Sequence, residues 1–137
     1  MLAIPRLRRV LEKHNSRFLR RVYTPEEVAF CRGRVPELAA RFAAKEAVMK
    51  ALGTGIRGVG WRDIEILPDR RGKPLVYLYG RAKARAEAIG LHALDVSLTH
   101  EQEFAIASVV GVRDGEAEDP QESRARLVRR LKERGLL

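Results

Sequence analysis

The sequence predicts an α+β fold in which helices pack on a small antiparallel sheet. Three helical patterns fill residues 1–52, and the apolar period then changes to the alternation that is typical of strands. Two predicted hairpins follow, with one more helix between them. The chain has 137 residues, of which 45% are hydrophobic, and this length and composition suit one compact domain with a substantial core.

Arginines alternate with apolar residues along the first predicted helix, so its outer face is basic. The apolar residues recur at helical spacing, and a break in the helix is expected near residues 15–16. These apolar residues are Leu7, Val10, Leu11 and Phe18.

The second and third helices are predicted from the residues at their ends. Thr24 can cap the second helix, Pro25 suits its first position, and Glu27 completes a capping box. Pro36 opens the third and longest helix, and Gly53 ends it as a C-terminal glycine often does.

Strand patterns dominate the next part of the chain. Apolar and acidic residues alternate over 63–66, residues 68–74 are typical of a turn, and residues 75–79 return as an antiparallel strand. Residues 81–89 are predicted to be helical. A second hairpin is predicted within residues 94–112, and its turn is expected at residues 100–102.

Positive charge is concentrated near the start of the chain. The net charge is +9, from 27 Lys and Arg against 18 Asp and Glu. Seven bases and one acid lie between Arg6 and Arg21, so this window alone carries +6. A basic domain of this size indicates an anionic partner, which could be nucleic acid, an acidic protein, a phosphorylated ligand or a membrane surface.

Composition excludes several classes of protein. No apolar run approaches the length of about 18 residues that a transmembrane helix needs, and residues 1–6 lack the long apolar core of a signal peptide. The single cysteine, Cys31, excludes a disulfide scaffold and a Cys-rich zinc site, and the three histidines lack metal-ligand spacing. We therefore expect a soluble, cytoplasmic protein. Among the anionic partners named above, a membrane surface is not expected.

The C-terminal residues 114–137 form a segment distinct from the domain over residues 1–113. The segment has six acids and six bases. Residues 114–120 are predicted to be an acidic linker, and residues 121–134 a short helix with Leu127, Val128 and Leu131 on one side. This helix could be a solvated tail, or it could pack onto the domain or onto a partner.

The segment Gly53–Gly58 matches the pattern GxGxxG literally. A dinucleotide-binding fingerprint needs a strand before it and a helix after it, whereas here a helix precedes and a strand follows. The dinucleotide interpretation therefore fails on context. The glycines could still let backbone N–H groups approach an anion, or they could form only a helix C-cap and a loop.

The third helix carries the side chains that are most informative about chemistry. Glu46 and Lys50 are four residues apart and share one face of the helix, with Arg41 and Lys45 close by. The pair could be a solvated surface pair. Alternatively, the carboxylate holds a hard cation while the bases hold phosphates, since Mg²⁺ prefers one or two carboxylates together with phosphate oxygens.

Two further segments could contact a phosphate. Ser97 and Thr99 share one face at the end of a predicted strand, and His100 follows them as a possible phosphate contact or acid/base group. It could equally be a solvated turn histidine. The turn over residues 71–74 has two bases that could grip a phosphate, or it could serve only as a hairpin turn.

Several segments, in this order along the chain, resemble the holo-acyl-carrier-protein synthases, which are small bacterial 4′-phosphopantetheinyl transferases. Residues 41–47 together with residues 50–55 resemble the signature of that family. The other similar segments are 17–27, 63–66, 72–74 and 97–100. The resemblance covers roughly residues 4–112 and implies the phosphopantetheinyl transferase fold.

This resemblance implies an activity and a set of site residues. The family transfers 4′-phosphopantetheine from coenzyme A to a serine of acyl carrier protein and releases adenosine 3′,5′-bisphosphate. Glu46 would be a Mg²⁺ ligand and a candidate base, Lys50 would neutralise the coenzyme A pyrophosphate, and His100 would join them as a catalytic group. The coenzyme pocket would comprise Arg41, Lys45, Lys50, Gly53, Thr54, Gly55, Arg71, Gly72, Lys73, Pro74, Ser97 and His100.

The resemblance also implies two kinds of protein partner. The basic first helix would face the acidic carrier protein through Arg6, Lys13 and Arg17. The chain itself would form a homotrimer, with each active site between two subunits.

The start of the chain departs from the family pattern. The family begins with a short strand, Gly-x-Asp, whose aspartate is the second metal ligand, and in this register that aspartate falls immediately before Met1. We expect the natural start to lie upstream and Met1 to be internal. The alternative is a chain that lacks this strand and this ligand.

Other classes of function remain open from the sequence. The chain could be a non-enzymatic basic module that binds RNA or an acidic protein, or an inactive relative. No DNA-binding motif is present, so we expect an acidic protein partner and no nucleic acid. A pure binding module would have no need of Glu46, Lys50, Ser97 and His100.

Overall fold

A computed structural model describes residues 1–115 and 119–137 of the chain. Its helices are α1 (Ile4–Val22), α2 (Pro25–Cys31), α3 (Val35–Leu52), α4 (Gly80–Ile89) and α5 (Pro120–Glu133). Its strands are β1 (Leu2–Ala3), β2 (Ile64–Pro68), β3 (Pro74–Leu78), β4 (Leu91–His100) and β5 (Phe104–Arg113). The predicted α+β class and the predicted order of helices and hairpins are therefore confirmed.

The strands form two antiparallel sheets, whereas the sequence suggested one. β2 and β3 form a separate hairpin in which Ile64 pairs with Leu78 and Pro68 with Pro74. β5 lies between β1 and β4 in a three-stranded sheet. The turn between β2 and β3 and the hairpin of β4 and β5 fall where the sequence placed them.

A two-residue strand that the sequence patterns did not predict, Leu2–Ala3, precedes the first helix. Leu2 pairs with Ala105 and Ala3 with Phe104. Ile4, the first residue of α1, is buried in the same apolar cluster as Ala105. β1 thereby fastens the start of α1 to the edge of the sheet.

Helix α3 is the central element of the fold. Its first half packs in one apolar cluster with α1 and α2, and its second half packs in another with β2, α4 and β4. Ten of its 18 residues are buried, so it lacks one continuous solvent-exposed face. Its buried residues are Leu38, Ala39, Ala40, Arg41, Ala43, Ala44, Lys45, Val48, Met49 and Leu52.

The two charged side chains of Lys45 and Glu27 are buried together between α3 and α2. Lys45 Nζ lies 2.6 Å from Glu27 Oε1, and both side chains are 0% exposed. Lys45 Nζ also donates to the carbonyl oxygens of Trp61 and Ile64. An ammonium group has three protons, so each has an acceptor here. Because burial without partners would be very costly, this complete set of bonds makes the buried charge tolerable.

The other bonds of Glu27 join α2 to the β2–β3 hairpin. Its Oε2 accepts from the backbone N–H of Ile66 at 2.9 Å, and its Oε1 accepts from the N–H of Thr24 at 3.0 Å. Thr24 Oγ1 in turn accepts from the N–H of Glu27, so the predicted capping box is confirmed. The same carboxylate therefore caps α2, pairs with α3 and holds the edge of β2.

The predicted helix ends and the predicted break match the structure. α1 has non-helical backbone angles at His14, one residue before the expected break. Gly53 ends α3 and Gly90 ends α4, both with positive φ values of 73° and 68°. Positive φ is costly for residues with a Cβ atom, which explains glycine at these helix ends.

The C-terminal helix α5 has no buried residue. Leu127 on its apolar side is exposed, whereas Val128 and Leu131 are half-buried. Residues 116–118 of the predicted acidic linker lie outside the described residues. Among the residues that the structure describes, none of the helices is long and apolar enough to cross a membrane.

We expect Lys45→Met to lower the free energy of unfolding by about 3–5 kcal/mol, because it leaves the Glu27 carboxylate buried and unpaired. The double variant Lys45→Met/Glu27→Gln removes both charges and should recover much of this loss. Chemical denaturation measures these differences. Lys50→Met, an exposed lysine on the same helix, is the matched control, and an equal effect of both single substitutions would contradict the prediction.

Candidate functional site

Glu46 lies on α3 at the edge of a cavity of about 440 Å³ between α1 and α3. The cavity is lined mainly by apolar and aromatic side chains and also by Arg6 of α1. Phe42 and Trp61 form part of its wall, with their rings stacked at 4.7 Å between centroids. Met1 and Leu2 also line it, so the start of the chain adjoins the candidate catalytic carboxylate.

Glu46 and Lys50 do not neutralise each other although they are one helical turn apart. Among the described residues, neither side chain has a hydrogen bond or an ion pair. Glu46 is half-buried and Lys50 is exposed in the last turn of α3. A carboxylate and an ammonium group without partners on one helix face are available for a ligand.

A second cavity, of about 420 Å³, lies around the first half of α3. It brings together four of the predicted coenzyme-binding residues, namely Arg41, Gly72, Pro74 and His100. Glu37 and Arg70 also line it. Sequence reasoning missed both of these residues, although the position of Glu37 one turn before Arg41 on the same helix is a signal that could have identified it.

The Arg41 guanidinium is held rigidly in this second cavity. Its Nε donates to the carbonyl oxygen of Ile66 at 3.0 Å, and its Nη1 lies 2.8 Å from Glu37 Oε2. The group also lies over the Phe30 ring at 4.6 Å from the centroid, a cation–π distance. Arg41 is only 3% exposed, so it forms part of the cavity wall.

The turn between β2 and β3 is held by one carboxylate. Asp69 Oδ1 accepts from the backbone N–H groups of Arg71 and Lys73, at 2.8 and 3.0 Å. The side chain of Lys73 extends toward β4, where its Nζ lies 3.2 Å from Asp95 Oδ1. Arg71 and Lys73 are exposed and do not line the second cavity, whereas Asp69, Arg70, Gly72 and Pro74 of this turn do.

The glycine-rich loop after α3 has an unusual buried hydroxyl. Thr54 Oγ1 is buried and has no hydrogen-bond partner among the described residues. Gly53 and Gly55 on either side have φ values of 73° and 58°. A buried hydroxyl without a partner is rare, and such groups often mark a place where a ligand or water completes the bonding.

The structure contradicts one sequence-based assignment, that Lys45 faces a coenzyme phosphate. Its side chain is 0% exposed, and Glu27, Trp61 and Ile64 accept from it. Spacing placed Lys45 beside Glu46, but adjacent helical residues point about 100° apart. Lys45 therefore points into the core while Glu46 faces the cavity.

Ser97 and His100 lie on opposite faces of β4. Val96 and Leu98 pack toward the core, so Ser97 and Thr99 face outward. The predicted sharing of one face by Ser97 and Thr99 is confirmed. Within one chain, however, Ser97 cannot reach the cavity that His100 lines.

The outward face of the β4–β5 hairpin carries exposed apolar side chains of β5, beside Ser97 and Thr99 of β4. Ile106 is 46% exposed and Val110 is 70% exposed, and Val112 and Phe104 are exposed as well. Large apolar side chains that are grouped on one sheet face are typical of an interaction surface. This face, defined by Phe104, Ile106, Val110 and Val112, is called the outer sheet face below.

The three basic residues assigned to carrier binding are all exposed on α1. Arg6 lines the Glu46 cavity. Arg17 lines a smaller cavity of about 240 Å³ near the break in α1, and Lys13 is exposed between them along the helix. The basic face of α1 therefore runs from the Glu46 cavity toward its C-terminal half.

Burial shifts the pKa values of groups in the core. Desolvation lowers the pKa of Lys45 from its ordinary value, against the opposing charge of Glu27. Desolvation also raises the pKa of the Cys31 thiol to about 11, so this thiol is protonated at neutral pH. Near β3, the hydrogen bond to Glu65 raises the pKa of Tyr79. None of these three described side chains lines the Glu46 cavity.

Comparison with known proteins assigns this arrangement to a class. The sequence model of the 4′-phosphopantetheinyl transferase superfamily matches residues 2–109, and the chain belongs to this family. Its close relatives in sequence are holo-[acyl-carrier-protein] synthases, so the chain is an enzyme of the transferase class.

Two of these relatives show how much of the chain is shared. The holo-[acyl-carrier-protein] synthase of Herpetosiphon aurantiacus is 44% identical over 119 residues, covering 82% of this chain and 94% of the relative. That of Moorella thermoacetica is 47% identical over 110 residues, covering 78% and 85%.

Solved structures agree with this assignment. Helicobacter pylori holo-[acyl-carrier-protein] synthase in complex with coenzyme A superposes with a TM-score of 0.74 at 31% identity, covering 81% of this chain and 95% of that one. A Plasmodium yoelii acyl carrier protein synthase with ADP bound has a TM-score of 0.76 at 32% identity, covering 83% and 91%.

Proposed function

We propose that this protein transfers 4′-phosphopantetheine from coenzyme A to a serine of apo-acyl carrier protein and releases adenosine 3′,5′-bisphosphate. The observation that carries the proposal is the unpaired Glu46 carboxylate at the edge of a cavity, one helical turn from the unpaired Lys50. The relatives' names support the substrates. The single cysteine favours a reducing compartment, and we place the reaction in the cytoplasm.

The proposed reaction is the attack of a hydroxyl oxygen on a phosphorus atom. The serine oxygen forms a bond to the phosphorus that carries pantetheine, and the bond from this phosphorus to the bridging pyrophosphate oxygen breaks. Glu46 accepts the serine proton, and the leaving phosphate keeps the electron pair. Lys50 offsets the charge that develops on the phosphate oxygens.

The family resemblance implies a Mg²⁺ ion, and the residues of the Glu46 cavity fit one in part. Among the described residues, no group of three or more His, Cys, Asp or Glu side chains could hold a metal. Mg²⁺ nevertheless binds through one or two carboxylates while water and substrate phosphates complete its shell. Glu46 would hold the ion, which when bound would stabilise negative charge on the phosphoryl oxygens.

In the proposed site, the coenzyme binds along α3. Arg41, His100 and the turn at Gly72–Pro74 contribute the second cavity. The Gly53–Thr54–Gly55 loop contributes backbone N–H groups for a phosphate. Exposed Arg71 and Lys73 add positive charge beside this cavity. Arg41, fixed by Ile66 and Phe30, provides a rigid cationic wall.

The proposed site is shared between two copies of the chain in a homotrimer. One chain alone distributes the expected residues among the Glu46 cavity, the Arg41 and His100 cavity, and the outward position of Ser97. A second copy seated on the outer sheet face would bury its apolar side chains and bring the Ser97 side of β4 to a neighbour's site. Heterologous contacts of this kind close into a ring of three when neighbouring copies are related by a rotation of a third of a turn.

The basic face of α1 is the proposed docking surface for the carrier protein. Arg6 lines the Glu46 cavity, and Lys13 and Arg17 follow along the same helix. An acidic carrier would thus meet positive charge next to the carboxylate that activates its serine. Cavities with unpaired catalytic side chains disfavour the alternative of a purely binding module.

We expect incubation of apo-acyl carrier protein with coenzyme A, MgCl₂ and this enzyme to add the mass of phosphopantetheine to the carrier. Glu46→Gln should reduce the initial rate by at least about 100-fold, since it removes the proton acceptor and the metal ligand. Mass spectrometry of the carrier measures both results. Glu87→Gln, an exposed position on α4, is the matched control and should keep the full rate.

Two outcomes would overturn the proposed function. The first is an unchanged carrier mass, both with this chain and with one extended at its N terminus. The second is a Glu46→Gln variant that works at the rate of the Glu87→Gln control, which would remove Glu46 from the site.

We expect Val110→Asp to dissociate the trimer, because it places a charge in the centre of the outer sheet face. Light scattering after size-exclusion chromatography measures the mass in solution. Leu136→Asp is the matched control, since Leu136 is also 70% exposed but lies beyond α5. A monomeric wild-type protein, or a Val110→Asp variant of unchanged mass, would argue against a trimer through this face.

A further inference from the structure

A carboxylate, that of Glu37, stands between Arg41 and His100 in the second cavity. Glu37 Oε2 lies 2.8 Å from Arg41 Nη1, and Glu37 Oε1 lies 3.7 Å from His100 Nε2. One carboxylate therefore faces both of the side chains that are proposed to meet the coenzyme. Glu37 is 28% exposed, so the cavity and solvent can reach it.

Glu37 is not needed to hold Arg41 in place. Arg41 Nε donates to the carbonyl oxygen of Ile66, and the Phe30 ring lies beneath the guanidinium. These two contacts fix the plane of the group independently of the carboxylate. Because Arg41 is held by these other contacts, the effect of Glu37 on the cavity is chiefly electrostatic.

We propose that Glu37 is a built-in competitor for the anion that binds in this cavity, and that it sets how tightly the nucleotide part of the coenzyme is held. The inference rests on the proposed function. When Arg41 and His100 bind a phosphate oxygen, the Glu37 carboxylate must turn toward solvent or remain as a like charge beside the phosphate. Either change weakens binding, because like charges at close range are strongly unfavourable.

This competition has a consequence for turnover. The reaction leaves adenosine 3′,5′-bisphosphate in the site, and tight binding of a product slows its release. A carboxylate poised to pair again with Arg41 favours departure of that product. Glu37 thus lowers the affinity of the cavity for both coenzyme A and adenosine 3′,5′-bisphosphate. The lower affinity for the product speeds its release.

The test compares Glu37→Gln with wild type for binding of adenosine 3′,5′-bisphosphate, measured by isothermal titration calorimetry at fixed ionic strength. Glutamine keeps the shape of the side chain and removes its charge. We expect the Kd to fall by at least about threefold, because the substitution removes one partly exposed negative charge that opposes the bound phosphate. Glu87→Gln on α4 is the charge-matched control and should leave the Kd unchanged.

Glu37 lies in the first turn of α3, where a carboxylate stabilises the helix. Thermal unfolding of each variant is therefore measured as well, to show that a change in Kd does not come from loss of stability. Glu37→Ala serves as a second variant and should also bind more tightly. Activity offers an independent readout: product inhibition by adenosine 3′,5′-bisphosphate should strengthen in Glu37→Gln, while the KM for carrier protein stays the same.

Distinct results overturn the inference and the proposed function. If wild type binds the nucleotide and both Glu37 variants bind it equally or more weakly, the inference is wrong and the proposed function stands. If wild type binds neither the nucleotide nor coenzyme A, this cavity is not an anion site, and the proposed function falls with the inference.

Discussion

The buried ion pair between Lys45 and Glu27 is the constraint on which the rest of the structure depends. Glu27 caps α2 and holds the edge of β2, while Lys45 ties α3 to the backbone at Trp61 and Ile64. Trp61 is therefore anchored twice. Its carbonyl oxygen accepts from Lys45, and its ring stacks on that of Phe42. Since Lys45 points inward, its neighbour Glu46 is turned toward the cavity that Trp61 helps to form.

The proposed function rests on how α3 is used along its length. Its first half presents Arg41 to one cavity and its second half presents Glu46 to another, while its end leads into the glycine-rich loop. The coenzyme A of the proposed reaction has two parts, a nucleotide with phosphates and a pantetheine chain. A long central helix with cations and a carboxylate at successive positions suits such an extended ligand. In the proposed trimer, the outer sheet face is the surface on which a second copy would complete the site.

Much of the fold could be predicted from local sequence patterns. The capping box at Thr24, the glycines that end α3 and α4, and the change of apolar period near Ile64 all act over a few residues, so the sequence reveals them directly. Three features depend on contacts between distant residues and could not be predicted in this way. These are the burial of Lys45, the separation of the strands into two sheets, and the position of Glu37 against His100 on β4. The two-residue strand β1 was also missed, because its pairing partner Ala105 lies a hundred residues away.

The central claim is that residues from two copies of the chain build one phosphopantetheinyl transferase site, and subunit mixing tests it most directly. Glu46→Gln and Ser97→Asp, which change side chains that the proposed site takes from different copies, would each be purified alone and then co-refolded in equal amounts, with transfer to apo-acyl carrier protein as the readout; the new carboxylate at position 97 would repel the coenzyme phosphates. A shared site predicts that each variant alone is nearly inactive and that the mixture recovers activity, in about a quarter of the sites for random pairing. A mixture no more active than the sum of the separate variants would show that one chain carries both residues of its own site.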